Sequence, residues 1–465
     1  MLRTIAPRAA RYASYTAVKV TCEGLTPQSL RFRRAAVFAV APRITTCGTF
    51  GSASRSLSVS ATAAAAQSQL NAKVVEDGVQ INGLTGVSAR RSTLPHFWLR
   101  DNCRCSKCVN QDTTQRNFDT YAISQDIRPS NIKSEEQGIK VTWEQDGHQS
   151  FYPWQFIKHY LQNDHRSPEQ VNYHFWGSDV GNRRPVVEYD HLMSKKDESG
   201  VAKLTNLIRQ YGFAFVDGTP YDTPDPTQRV LERVAFIRET HYGGFYDFVP
   251  DLAMADTAYT NIALPAHTDT TYFTDPAGLQ AFHMLSHEAP PGQQLPEDGK
   301  LGGESLLVDA FYAAQILQKE DPAAYDILSK VRLPWHASGN EGITISPDKR
   351  YPVLEIDQET GKLHRVRWNN DDRGVVPFTE DVSPTEWYAA ARKWDAILRR
   401  SDVEFWWQLK PGQVLIFDNW RVMHGRSAFE GRRRIAGAYI NRDDFVSRWR
   451  NTNFPHEHVL NQVVG

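Results

Sequence analysis

The hydrophobic residues of the chain lie mostly in short runs that Gly and Pro separate. Between residues 73 and 160, apolar and polar positions alternate with a period of two, which predicts short half-buried strands in an all-β module. The spacing over 200–211 predicts a helix, whereas the apolar runs 212–216 and 306–308 predict buried strands. Further helices are expected near 311–317 and 386–399.

This order of elements predicts a mainly β protein with flanking helices. Many short strands with two outer helices are typical of a double-sheet jelly roll, the double-stranded β-helix. The roughly 395 residues after the first 70 exceed one ordinary core, so we expect two domains. A small β-rich domain over 71–165 would precede a larger domain over 180–455, with the polar, Pro-containing segment 163–184 as the linker.

The first 70 residues differ in charge from the rest, with nine basic residues and a single acidic one. An Arg-rich, Ser-rich, acid-poor start is typical of a mitochondrial transit peptide and predicts the mitochondrial matrix. The alternative is a basic arm that binds nucleic acid or membrane. The remainder keeps 44 basic and 53 acidic residues, a net charge of −9 that argues against nucleic-acid binding. The longest apolar stretch, 35–41, is too short to span a bilayer.

One short motif carries the main chemical signal, because His267-Thr268-Asp269 is the only His-x-Asp in the chain. Residues i and i+2 of a strand point to the same face, so His267 and Asp269 can bind one ion. An isolated motif of this kind is more often a solvated pair. Here His424 follows far downstream, and two His with one carboxylate form the facial triad of Fe(II) oxygenases.

A second feature of the predicted site is Arg433, which lies nine residues after His424. A guanidinium at this position can hold the distal carboxylate of a keto acid through two hydrogen bonds. Arg432 and Arg434 remain rivals, although strand alternation places them on the opposite face.

Three of the five cysteines fall within six residues, Cys103, Cys105 and Cys108. A reducing compartment keeps such thiols free, and three thiolates this close suit a structural zinc ion, which takes four S or N ligands. His148 is the candidate for the fourth ligand, with His96 and His159 as alternatives. The alternative interpretation is that the three cysteines are close in sequence but bind no metal ion.

Residues from about 180 to 450 resemble the 2-oxoglutarate-dependent oxygenases of the taurine dioxygenase superfamily, and within it the dioxygenases of carnitine biosynthesis. The stretches that carry the resemblance are 267–273, 306–314, 367–373, 417–426 and 441–444. It implies Fe(II), 2-oxoglutarate and O2, with ascorbate as reductant, a homodimer, and Ser305 as a second contact for 2-oxoglutarate. At the amino end, Trp98–Cys103 resembles the small Cys3His domain of the same enzymes.

The resemblance also implies a small-molecule substrate with a trimethylammonium group. Such a cation has no N–H to donate, so aromatic faces must select it. The residues that match the aromatic cage of the family are Tyr242, Tyr246, Tyr259 and Tyr439. Asn369 and Asn370 are candidates for the other end of the substrate, with Asp371 or Asp256 as a possible amine-binding acid.

The expected reaction is hydroxylation of Nε-trimethyllysine at C3, because Thr270–Phe273 is similar to the enzymes that act on that substrate. The nearer alternative is γ-butyrobetaine hydroxylation, which forms carnitine. The more distant one is a non-enzymatic, zinc-dependent interaction module. Metal analysis distinguishes this interaction module from the two enzymes, since the module would bind zinc alone.

Overall fold

The computed structural model describes residues 70–88, 92–162, 171–249, 260–290, 292–294, 299–339 and 341–463. The expected transit segment lies outside these residues except for Leu70, and so do Tyr259 and Asp256. Among the described residues, the structure contains no helix that is both long and apolar enough to cross a bilayer.

Two β-sheets form the body of the described residues between 171 and 463. The larger sheet has the order β10-β19-β12-β17-β8-β7, with β9 on β19, and the smaller has the order β11-β18-β13-β16. Their strands are β7 (Val186–Glu188), β8 (Phe213–Asp217), β9 (Ile237–Arg238), β10 (Tyr246–Phe248), β11 (Leu264–His267), β12 (Leu279–Glu288), β13 (Ser305–Asp309), β16 (Phe405–Trp407), β17 (Gln413–Asp418), β18 (Val422–Arg426) and β19 (Arg432–Ile440). The short hairpin β14 (Leu354–Ile356) and β15 (Leu363–Val366) lies outside both sheets.

Helices cover the outer faces of the two sheets. They are α3 (Tyr189–Leu192), α4 (Ser199–Tyr211), α5 (Asp225–Val234), α6 (Ala310–Glu320), α7 (Pro322–Lys330), α8 (Pro384–Leu398), α9 (Arg442–Asn453) and α10 (His456–Val463). Side chains of α4 and α5 pack on the larger sheet, and those of α6, α7 and α8 pack on the smaller one. A third apolar cluster, with Phe213 and Phe417 from one sheet and Leu307 from the other, fills the space between them. This confirms the predicted jelly roll.

The described residues between 70 and 162 form two three-stranded antiparallel sheets and two α-helices. The first sheet is β1 (Asn71–Val75), β2 (Gly78–Asn82) and β3 (Thr93–Pro95), and the second is β4 (Pro129–Glu135), β5 (Gly138–Trp143) and β6 (Gln149–Pro153). The helices are α1 (His96–Asp101) and α2 (Trp154–Leu161). The all-β prediction was therefore wrong here, because each helix is too short for its 3.6-residue period to stand out between strands.

Local sequence signals explain the element boundaries near the site. Helix α4 ends at Tyr211, and the next residue, Gly212, has a φ of 82°, the left-handed conformation that Gly adopts at a helix end. Helix α8 begins with a capping box, in which Ser383 and Glu386 hydrogen-bond each other's backbone N–H groups.

Part of the predicted linker belongs to the core instead. Trp176 and Val180 are buried against Phe213 and Phe405, and a 3-10 turn occupies Ser178–Arg183. The polar composition of this segment wrongly indicated an exposed linker, because two buried apolar side chains are enough to hold a short irregular segment against the core.

Candidate iron and 2-oxoglutarate site

The His-x-Asp motif and the distant histidine meet at the edge of the smaller sheet. β11 and β18 pair antiparallel with His267 directly opposite His424, and the two rings lie 4.2 Å apart between centroids. Asp269 follows the end of β11, and its Oδ1 lies 3.2 Å from His267 Nε2 and 3.8 Å from His424 Nε2. One donor atom from each residue lies within 4.8 Å of the other two, a spacing at which all three could bind one ion.

Hydrogen bonds turn these donor atoms toward a common point. His267 Nδ1 lies 2.8 Å from the Pro265 carbonyl, which can only accept, so the ring hydrogen is on Nδ1 and Nε2 is free for a metal. Asp269 Oδ2 accepts hydrogen bonds from Gln280 Nε2 and the Tyr439 hydroxyl, each at 2.7 Å. Its Oδ1 is therefore the oxygen that faces the imidazoles.

The charge states of Asp269 and His424 also suit a divalent cation. Burial opposes the charge of Asp269, but the neighbouring His424 and His267 hold the pKa of its carboxyl well below the usual range. Burial lowers the pKa of His424 to about 3, so its ring is neutral near pH 7. A carboxylate and a neutral imidazole are the forms that bind metals.

The backbone after Asp269 adopts an uncommon conformation. Thr270 has φ of 56°, which is rare for a β-branched residue and costs free energy. Its hydroxyl accepts a hydrogen bond from the Ala277 N–H, and the Asn419 side chain binds the main chain of Asp269. Sequence reasoning missed Gln280 and Asn419, although both are polar residues in buried segments, where such groups need partners.

A cavity of about 180 Å³ lies in front of the triad. Arg433 and Ser305 line it, and Arg433 is only 7% exposed. Among the described residues no carboxylate pairs with Arg433, and burial, reinforced by Arg426, lowers its pKa to about 9. A buried cation that no described carboxylate neutralises is suited to bind an anionic ligand.

The two neighbours of Arg433 differ from it. Arg432 is exposed, and Arg434 forms a two-bonded ion pair with Asp247 at 2.8 and 2.5 Å. The alternation along β19 thus places Arg433 alone of the three in the cavity.

Aromatic side chains form another wall of the same cavity. Tyr242, Tyr246 and Tyr439 line it, together with Tyr272, which sequence reasoning did not single out. Tyr246 and Tyr439 meet edge to face with centroids 6.2 Å apart. Gly437 makes room for Tyr246, because a Cβ there would lie 2.8 Å from its ring.

The two asparagines occupy different positions. Asn369 lines the cavity, donates to Asp372 Oδ2 at 3.0 Å and accepts from the Asp371 N–H. Asn370 instead lines a neighbouring cavity between the 368–373 segment and α8. Asp371 borders both cavities.

A second cluster of metal-binding side chains lies in residues 70–162. His148 Nε2 is 3.3, 3.5 and 3.4 Å from the sulfurs of Cys103, Cys105 and Cys108. Zn–S bonds of about 2.3 Å and Zn–N bonds of about 2.0 Å at a tetrahedral angle give an S···N separation of roughly 3.5 Å. The four side chains therefore fit a zinc ion, whereas His96 and His159 are not part of the cluster.

Comparison with known proteins agrees with this geometry. The model of the taurine catabolism dioxygenase TauD, TfdA family matches residues 173–439, and a gamma-butyrobetaine hydroxylase-like N-terminal model matches residues 58–158. The chain belongs to the TauD, TfdA family of dioxygenases.

The relatives of the chain include trimethyllysine dioxygenases. It is 58% identical to the Neurospora crassa trimethyllysine dioxygenase over 417 residues, 85% of this chain and 88% of the relative. The human enzyme named trimethyllysine dioxygenase, mitochondrial, is 36% identical over 364 residues, 76% of this chain and 82% of the relative. The Pongo abelii gamma-butyrobetaine dioxygenase is 27% identical over 386 residues, 80% of this chain and 95% of the relative.

Proposed function

We propose that the protein hydroxylates Nε-trimethyllysine at C3, converting 2-oxoglutarate and O2 to succinate and CO2, as the first step of carnitine biosynthesis. The observation that carries the proposal is a single cavity that joins three parts. It contains the His267, Asp269 and His424 cluster, the buried Arg433, which no carboxylate of the described residues pairs with, and the Tyr246–Tyr439 pair.

The three ligands His267, Asp269 and His424 would hold Fe(II), which supplies the oxidation chemistry when bound. Arg433 would bind the distal carboxylate of 2-oxoglutarate, with the Ser305 hydroxyl beside it. This arrangement leaves the keto end to face the triad. Ascorbate is the expected reductant that keeps the iron ferrous.

The aromatic wall would bind the trimethylammonium group of the substrate. Well-placed rings contribute roughly 1–2 kcal/mol each when water is excluded. Tyr242, Tyr246 and Tyr439 provide three of the proposed faces, and Tyr259 is proposed as the fourth from the resemblance. Asn369, and Asn370 from the adjoining cavity, would bind the amino-acid end.

The domain boundaries, location and assembly belong to the same proposal. Residues 71–165 would be a domain stabilised by zinc on Cys103, Cys105, Cys108 and His148, ahead of a catalytic domain over 180–455. The basic, acid-poor first 70 residues and the name of the human relative support import into mitochondria, and the matrix is the proposed destination. A homodimer is expected from the resemblance, and light scattering of the purified chain tests it.

A substrate panel tests the proposal directly. The purified chain without residues 1–70, loaded with Fe(II) and 2-oxoglutarate, is given trimethyllysine, γ-butyrobetaine or taurine, and kcat/KM for each hydroxylated product is measured. We expect trimethyllysine to be preferred. Preference for γ-butyrobetaine would overturn the substrate assignment, and a protein that holds zinc but cannot bind iron would favour the interaction-module alternative.

A further inference from the structure

The two carboxylate oxygens of Asp269 have different surroundings. Oδ1 faces His267 Nε2 at 3.2 Å and His424 Nε2 at 3.8 Å. Oδ2 accepts two hydrogen bonds of 2.7 Å, from Gln280 Nε2 and from the Tyr439 hydroxyl. The carboxylate is therefore held by one oxygen and offers the other to the metal position.

Sheet geometry brings the two donors to the same oxygen. Gln280 on β12 and Tyr439 on β19 are directly opposite residues of an antiparallel pair. Opposite side chains in such a pair point to the same face and lie close together. The contact with Asp269 thus comes from two central strands of the larger sheet, which are more rigid than a loop.

Gln280 uses only one end of its carboxamide within the described part of the chain. The side chain is 2% exposed, and its Oε1 is buried there without a hydrogen-bond donor. Leaving a buried acceptor unpaired costs free energy, so a glutamine serves packing poorly at this position. The bond that Gln280 does make is the one to Asp269.

We propose that Gln280 is a positioning residue, which fixes the Asp269 carboxylate so that Oδ1 is presented to the iron. The inference rests on the proposed function, because Asp269 is a metal ligand only within it. Groups that orient a metal ligand in this way typically change metal affinity by about 10–100-fold when removed.

Gln280→Met tests this role, since methionine has a similar length and no donor. Co(II) is titrated into iron-free protein whose cysteine cluster is kept loaded with zinc, and its visible absorption gives the Kd at the triad. We expect Gln280→Met to bind Co(II) about 10–100-fold more weakly than the parent. Tyr439→Phe, which removes the other donor, is expected to weaken binding in the same direction.

Gln413→Met is the matched control. Gln413 on β17 also donates from Nε2 to a carboxylate, Asp217 Oδ1 at 2.8 Å, but neither residue borders the cavity of the triad. We expect this variant to keep the Kd of the parent, so that losing a glutamine–carboxylate bond elsewhere in the sheet does not weaken Co(II) binding.

The outcomes separate the two proposals. A folded Gln280→Met protein with the Kd of the parent would overturn the positioning role and leave the proposed function standing. A parent protein that binds no Co(II) at the triad would overturn both. If Gln280→Met fails to fold, Gln280→Leu gives the same readout and is judged by the same two results.

Discussion

Asn419 hydrogen-bonds both main-chain polar groups of Asp269. Its Oδ1 accepts from the Asp269 N–H at 2.8 Å, and its Nδ2 donates to the Asp269 carbonyl at 2.9 Å. The same Nδ2 also donates to the Ala277 carbonyl at 3.0 Å. One buried side chain thus holds the backbone of a proposed metal ligand next to the strained Thr270.

Asn419→Ala should therefore lower the free energy of unfolding. The substitution leaves one N–H and two carbonyls without this partner, and each such buried group costs about 1–3 kcal/mol. We expect a loss of on the order of 3 kcal/mol in the free energy of unfolding of the metal-free protein, measured by urea denaturation. Unchanged stability would mean that water or a shifted backbone replaces all three bonds.

Arg433→Gln should raise the KM for 2-oxoglutarate by about 10–100-fold, because a hydrogen bond to a charged group contributes about 1.5–3 kcal/mol. Arg432→Gln is the matched control, since Arg432 is the exposed neighbour on the same strand. Steady-state kinetics at saturating trimethyllysine measure the effect. Equal KM values for the two variants would contradict the assignment.

His148→Gln should abolish zinc binding to the cysteine cluster, because Nε2 is its single nitrogen donor. A structural zinc ion contributes directly to folding, so the thermal unfolding temperature should also fall. His159→Gln, outside the cluster, is expected to keep both. Zinc content after dialysis, measured by mass spectrometry, decides between them, and zinc retained by His148→Gln would contradict the site.

Stability should depend on pH through His283, which is buried between Thr227 and the Gly412 N–H at 2.6 and 3.1 Å. Burial lowers its pKa from 6.5 to about 4. The unfolded chain therefore binds the proton more readily, and the stabilisation present above pH 6.5 is lost as pH falls toward 4.

This loss is on the order of 3 kcal/mol for the pKa difference involved. Urea denaturation between pH 4 and 7 should show a steeper pH dependence for the parent than for His283→Gln, which cannot titrate. Identical slopes for the two proteins would remove His283 as the cause.

The jelly roll and the pairing of His267 with Asp269 could be predicted from the sequence because their signals are local. Helix α4, strand β13 and the His-x-Asp spacing each follow from periodicity over a few residues. His424 needed more, since only the pairing of β11 with β18 places it opposite His267. The position of Arg433, nine residues after His424, allowed His424 to be assigned to the same site as His267 from the sequence.

Other features depend on tertiary contacts that no local pattern encodes. Gln280 and Tyr439 are far apart in sequence, and their common bond to Asp269 arises from the register of β12 and β19. Tyr439 was expected only as an aromatic face, whereas its hydroxyl also binds the carboxylate. Helices α1 and α2 escaped prediction because tertiary packing, not length, stabilises such short helices.

The most direct test of the central claim is oxygen labelling with 18O2. The purified chain is incubated with trimethyllysine and 2-oxoglutarate under labelled O2, and mass spectrometry measures the label in both products. The Asp269→Ala protein is the negative control. We predict one labelled atom in the 3-hydroxy product and one in succinate, formed in equal amounts. Hydroxylated product without the label, or equal turnover by the Asp269→Ala protein, would contradict it.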